Sequence, residues 1–133
     1  MSALYQSRAL ADAATEKLKV YAQPQRLMIL SCLLRGEKTV GAIDMATGIG
    51  QPALSQQLAE LRRAEMVRTR REAKQVFYDL ADDKVRLCVR SMEVILGDGA
   101  DLPKALGSVL RSEQAADAPS GKPAGAAAFA RIG

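Results

Sequence analysis

The chain has 133 residues and a formal net charge of +4, a length that suits one domain and is short for two. Hydrophobic residues make up 48% but aromatics only 4%, so aliphatic side chains must fill the core. The longest apolar run, Leu27 to Leu34, falls far short of the ~20 residues of a membrane span, and the charges scattered through Met1 to Val20 do not suit a secretory signal, which predicts a cytoplasmic protein with no membrane partner.

There is no histidine and there are two cysteines. His-based triads, His metal sites and imidazole general bases are therefore excluded, and a disulfide scaffold is not available. No Gly-rich phosphate loop is present, nor a carboxylate cluster beside a nucleophile. The expectation is a protein with no catalytic residues, no metal site and no cofactor.

In chain order, residues 3–20 read as a helix, with Leu10, Ala14, Leu18 and Tyr21 at helical spacing. Gln23-Pro24 breaks it, because the residue before proline avoids the helical region. A second helix starts at Pro24, where proline is tolerated in the first turn, and Gly36 stops it after Arg35. This helix is apolar nearly all round, the pattern of a helix buried on several sides. Thr39 is placed to cap a short third helix over Val40 to Thr47, and Gly48-Ile49-Gly50 forms a tight turn.

A fourth helix is predicted over roughly Gln51 to Glu65. Leu54, Leu58 and Leu61 fall on one face, and Pro52, Ser55, Gln56, Ala59 and Arg63 on the other. Met66 to Arg71 and Gln75 to Leu80 are rich in Val, Thr, Phe and Tyr and read as a β-hairpin around Glu72-Ala73-Lys74. Asp82 or Asp83 then caps a long helix to about Leu96, with Val85, Cys88, Val89, Met92 and Leu96 as its main stripe. Leu87 and Val94 lie on another side. Residues 101–111 form a short further helix, and from about Ser112 the Ala, Gly, Pro and Ser content is that of a flexible tail. The domain reading is residues 1–100 as one folded domain and 101–133 as a C-terminal extension. The fold class is mainly α with a small β-hairpin.

The charge is localised. Arg62, Arg63, Arg68, Arg70, Arg71 and Lys74 against Glu65 and Glu72 give +4 between Arg62 and Lys74, the net charge of the whole chain. Such a patch reads either as an anion-binding footprint or as a solvated Arg-rich hairpin. Helix, Gly turn, helix and basic hairpin is the order of a winged helix-turn-helix. In that arrangement the helix after the turn enters the major groove, where Gln56 can pair with adenine and Ser55 can reach a base or a phosphate. Gln51 and Pro52 lie at its N-terminal end, where the helix dipole favours phosphate. Arg63 at its other end, with Arg68, Arg70, Arg71 and Lys74 on the hairpin, is suited to neutralising flanking phosphates.

Four ordered segments resemble the ArsR/SmtB family of bacterial transcriptional repressors: Gln23-Pro-Gln-Arg-Leu-Met-Ile-Leu, Thr39-Val-Gly-Ala-Ile, Gly50-Gln-Pro-Ala-Leu-Ser-Gln-Gln-Leu-Ala-Glu-Leu-Arg, and Val67-Arg-Thr-Arg-Arg-Glu-Ala-Lys-Gln-Val-Phe-Tyr. The resemblance spans roughly residues 15–97. Ser55-Gln56-Gln57-Leu58 is similar to the family's Ser-Gln-His-Leu signature, with Gln57 where His is usual. The resemblance implies a homodimer joined through the first and last long helices. It also implies a palindromic double-stranded operator as partner, released on a signal.

The metal-sensing positions of the family do not carry over. Its Asp and His pairs on the last helix have no His here, and its Cys-x-Cys segment reads Val40-Gly-Ala-Ile. The similarity is to the nonmetal branch, including nodulation and sulfide-responsive repressors. The sensor cysteines of the latter align with Ser31 and with a position near Gly97, whereas Cys32 and Cys88 lie on the same two helices. The expected reading of Cys32 and Cys88 is small buried hydrophobes; a thiol switch using the two is the alternative. The rival function is a winged helix whose hairpin arginines meet an acidic protein.

Overall fold

A computed structural model describes residues 3–98 and 101–117. The chain divides into two compact units, Met1–Met92 and Glu93–Gly133. Within the first, a 3₁₀ turn (Leu4–Gln6) precedes α1 (Arg8–Tyr21) and α2 (Pro24–Leu34). A two-residue strand β1 (Lys38–Thr39), α3 (Val40–Thr47), α4 (Ala53–Arg63) and the hairpin β2 (Val67–Glu72) and β3 (Gln75–Leu80) follow. α5 (Asp83–Leu96) begins in this unit and ends in the second, which also holds α6 (Leu102–Asp117).

Local chemistry sets these boundaries. Ser7 Oγ accepts from Leu10 N–H at 3.1 Å at the start of α1, and Gln23 Oε1 accepts from Arg26 N–H at 2.8 Å, with Pro24 in the first turn of α2. Thr39 Oγ1 accepts from Ala42 N–H at 3.2 Å to cap α3, and Asp82 Oδ1 accepts from Val85 N–H at 3.0 Å to cap α5. Each cap satisfies an N–H that the helix itself cannot.

The turn between α3 and α4 depends on Asp44. Its backbone carbonyl accepts from Gly48 N–H at 2.7 Å, and its carboxylate accepts from Gly50 N–H at 2.9 Å. Gly48 and Gly50 adopt φ of 69° and 81°, the left-handed region that a Cβ disfavours. One aspartate thereby fixes the angle at which α4 leaves α3.

The apolar faces converge on one core in the first unit. Ile29, Leu30 and Leu33 of α2, Ile43 of α3, and Leu54, Leu58 and Leu61 of α4 are buried, closed off by Tyr21, Met66, Val67, Leu80, Val85 and Val89. The three α4 leucines follow the predicted 3.6-residue spacing and put Ser55 and Gln56 outward. No charged or polar residue is buried among the described residues.

The sheet order is β1-β3-β2, all antiparallel. Its register pairs Val67 with Leu80, Thr69 with Tyr78, Arg70 with Phe77 and Glu72 with Gln75. Ala73 and Lys74 make the hairpin tip, with Ala73 at φ 58°.

Several expectations are corrected. α4 begins at Ala53 instead of Gln51, because Gln51 and Pro52 form a turn ahead of it. Lys38 and Thr39 pair with Tyr78 and Phe77 as a third strand, a non-local pairing that a two-residue segment does not announce. The short helix expected over residues 101–111 extends to Asp117. Glu113, Gln114, Ala115 and Ala116 have good helix propensity, which accounts for the extension. The remainder of the expected tail, residues 118–133, lies outside the described residues.

Candidate nucleic-acid interface

α4 offers its outer face through residues that nothing else uses. Ser55 and Gln56 are exposed, and neither side chain makes a hydrogen bond among the described residues. Pro52 is exposed beside them. Gln51 is also exposed, but its side-chain oxygen accepts from Ser55 N–H at 3.1 Å. Gly50 and Pro52 carbonyls take the N–H groups of Leu54 and Gln56 at 2.9 and 3.1 Å. The opening turn of α4 is therefore internally satisfied, and the expected anion-seeking N–H groups there are largely occupied.

Beside this face runs an open groove of about 400 Å³ bordered by Val40, Ser55, Ala59, Arg62, Arg63 and Tyr78. Arg63 pairs with Glu60 one turn earlier on α4. Arg62, exposed, has no carboxylate partner among the described residues. The sequence reading counted Arg62 in the basic run without singling it out. Its place on α4, one residue after the inward Leu61, was the available signal.

The hairpin cations divide by strand face, because side chains alternate along β2. Arg68 and Arg70 share one face. Arg68 reaches Asp79 at 3.4 Å, and Asp79 also meets Arg86 at 3.6 Å. Arg70 is held more completely: its Nε donates to both carboxylate oxygens of Glu37 at 3.0 Å, Nη2 also reaches Glu37, and Nη1 donates to Glu72 at 2.6 Å. Its guanidinium carbon lies 4.6 Å from the centre of the Phe77 ring. These hydrogen bonds hold the Glu37 carboxyl below the usual carboxylate range and push Arg70 further up. Glu37 was not foreseen as a partner; it precedes the hairpin by more than thirty residues.

Arg71 lies on the opposite face, the one shared by Val67 and Thr69, whose cross-strand neighbour Tyr78 borders the groove. Lys74 stands at the hairpin tip. Both are exposed and have no carboxylate partner among the described residues.

Cys32 and Cys88 are free thiols. Cys32 is half-buried on α2, but Cys88 is exposed, so the expectation of a buried Cys88 is corrected. α5 turns Val85 and Val89 inward, and a residue three positions after Val85 falls at the edge of that stripe. There Cys88 hydrogen-bonds the hydroxyl of buried Tyr21; burial first, then this contact, raises the phenol well above its usual range. Among the described residues no three His, Cys, Asp or Glu side chains cluster as metal holders, and no helix is long and apolar enough to cross a membrane.

A helix pair with a tight turn, an outward polar face on its second helix and a basic antiparallel hairpin define a winged helix-turn-helix DNA-binding protein. The sequence profile of the arsR family of bacterial regulatory proteins matches residues 23–69. The biofilm growth-associated repressor of Agrobacterium fabrum is 49% identical over 78 residues, covering 59% of this chain and 67% of that protein. The crystal structure of the transcriptional repressor BigR from Xylella fastidiosa is similar with a TM-score of 0.61 and 42% identity, covering 64% of this chain and 84% of that one. A solution structure from Mycobacterium bovis of a homodimeric winged helix-turn-helix DNA-binding domain, a possible ArsR-family regulator, superposes with a TM-score of 0.61 at 30% identity; it covers 76% of this chain and 92% of that chain. The chain belongs to the arsR family, whose members are DNA-binding transcriptional regulators and not enzymes.

Proposed function

We propose that this chain is a homodimeric repressor that reads a palindromic operator and releases it in response to a signal other than a metal ion. The observation that carries the reading is the free outer face of α4. Ser55 and Gln56 are unengaged there, with Arg62 alongside and Arg71 and Lys74 on the hairpin, all without carboxylate partners among the described residues. Gln56 reads a base edge, Ser55 reaches a base or phosphate, Pro52 packs against the backbone, and Arg62, Arg71 and Lys74 neutralise phosphates. Arg63 and Arg68 contribute less, since each already faces a carboxylate.

Dimerisation through α1 and α5 is supported by their exposed apolar residues. Leu10 and Leu18 on α1 and Leu87 on α5 are 42%, 60% and 68% exposed, and a second copy would remove them from water. The two recognition helices of such a dimer meet half-sites about one helical turn apart, ~10 bp, or a multiple of it. The absence of histidine supports a non-metal signal. The compartment is the cytoplasm, because the target is DNA.

The test is selection of duplexes from a random pool, followed by affinity measured against salt and by the mass of the complex. The expected result is a two-fold symmetric consensus, two chains per duplex and a steep fall of affinity with salt. Binding to an acidic protein with no duplex selected would support the rival reading.

A further inference from the structure

We infer that Arg26 is a positioning residue for sequence readout, which ties α4 to the end of α1 through a hydrogen bond to Gln57. This rests on the DNA-reading role proposed for Gln56.

Arg26 lies in the first turn of α2, half-buried, with its own N–H held by Gln23. Its guanidinium leaves α2 in two directions. Nε donates to Gln57 Oε1 at 2.8 Å, thirty-one residues away on α4. Nη1 donates to the Val20 carbonyl at 3.4 Å in the last turn of α1. That carbonyl is one of the helix-end acceptors with no partner inside its own helix, and a cation there also meets the negative end of the dipole. One planar side chain thus joins three helices.

Gln57 is half-buried, between the inward Leu54 and Leu58 and the outward Gln56. Leucine packing sets how deeply α4 sits, but apolar contact is non-directional and leaves rotation about the helix axis weakly fixed. A short, directed hydrogen bond on the flank of the helix fixes that rotation. Rotation is what aims Gln56, its immediate neighbour, at a base edge, and bidentate readout tolerates little error of aim. Lysine in place of Arg26 keeps the charge but presents a single ammonium, which cannot span both acceptors in a fixed plane.

The experiment compares affinity for the duplex selected by the wild-type protein with affinity for a random duplex, alongside Tm and the salt slope on the random duplex. Arg26→Lys and Gln57→Leu each lower the selected-to-random ratio about tenfold, and the double variant is no worse than either single one. The salt slope stays at the wild-type value. Gln57→Glu, whose carboxylate accepts from Arg26, retains the ratio even though its charge weakens binding to both duplexes. A fall in Tm with the ratio unchanged would make Arg26 merely structural and overturn the inference. A salt slope lower by about one in Arg26→Lys or Gln57→Leu would mean the change removes a direct phosphate contact, which also overturns it. If the wild type selects no duplex, the DNA-reading role itself is wrong and the inference falls with it; if it selects one and all variants keep the ratio, only the inference fails.

Discussion

The two faces of the hairpin carry similar residues and opposite electrostatics. On one, Arg68 and Arg70 lie against Asp79, Glu37 and Glu72, and Arg70 stacks on Phe77. On the other face and at the tip, Arg71 and Lys74 stand without carboxylate partners among the described residues. A basic run in sequence is therefore not the same as a basic surface. Half of the cations between Arg62 and Lys74 are already answered from within the fold: Arg63 by Glu60, Arg68 by Asp79, and Arg70 by Glu37 and Glu72. The guanidinium of Arg70 braces the hairpin against the turn after α2, whereas Arg71 and Lys74 remain available to a polyanion.

The largest expected effect sharpens this division. Replacing both Arg71 and Lys74 by alanine weakens binding to every duplex and lowers the salt slope by about two, one per lost phosphate contact. Fluorescence anisotropy across a salt series measures it, and an unchanged slope would remove the hairpin tip from the interface. Next is Gln56→Ala, which costs ~1–3 kcal/mol on the selected duplex, relaxes preference at one base pair per half-site and leaves the slope as it was. It separates readout by α4 from charge on the hairpin.

Arg70→Met is the variant most able to break the comparison. The salt slope is expected to stay at the wild-type value while the amides of Val67 to Leu80 exchange faster with solvent, because the brace to Glu37 is gone. A slope lower by about one would place Arg70 on a phosphate after all.

The same brace has a pH signature. Arg70 donates to the ionised Glu37, so the folded pKa of Glu37 is depressed below its ordinary 4.5. The contribution of this contact is complete above the ordinary value and is lost as pH falls through the lowered one. An NMR titration of the Glu37 side-chain carbon should show a midpoint below 4.5, returning toward 4.5 in Arg70→Met. The smallest effect concerns the tip. Ala73 at φ 58° occupies a left-handed conformation that costs an L-residue ~1 kcal/mol, so Ala73→Gly should raise stability by up to about that amount without altering the salt slope.

Much of the fold was legible because its causes are local. Thr39 ahead of Val40, Pro24 in a first turn, Asp82 ahead of α5 and the Leu54-Leu58-Leu61 spacing each act within about one or two helical turns. The predicted elements therefore appear within a few residues of their expected ends, with α6 as the exception. The composition and order of the segments also determined the class, since apolar periodicity and Gly turns dictate which faces must meet. What the chain alone could not decide was which charges and amides remain free for a partner. Gln51 is engaged by a backbone N–H, Arg70 by a glutamate thirty-three residues away and Gln57 by an arginine thirty-one away. Hydrogen bonds and ion pairs reach only a few ångströms, so whether such groups meet depends on where the packed helices bring them, and only the tertiary structure sets that.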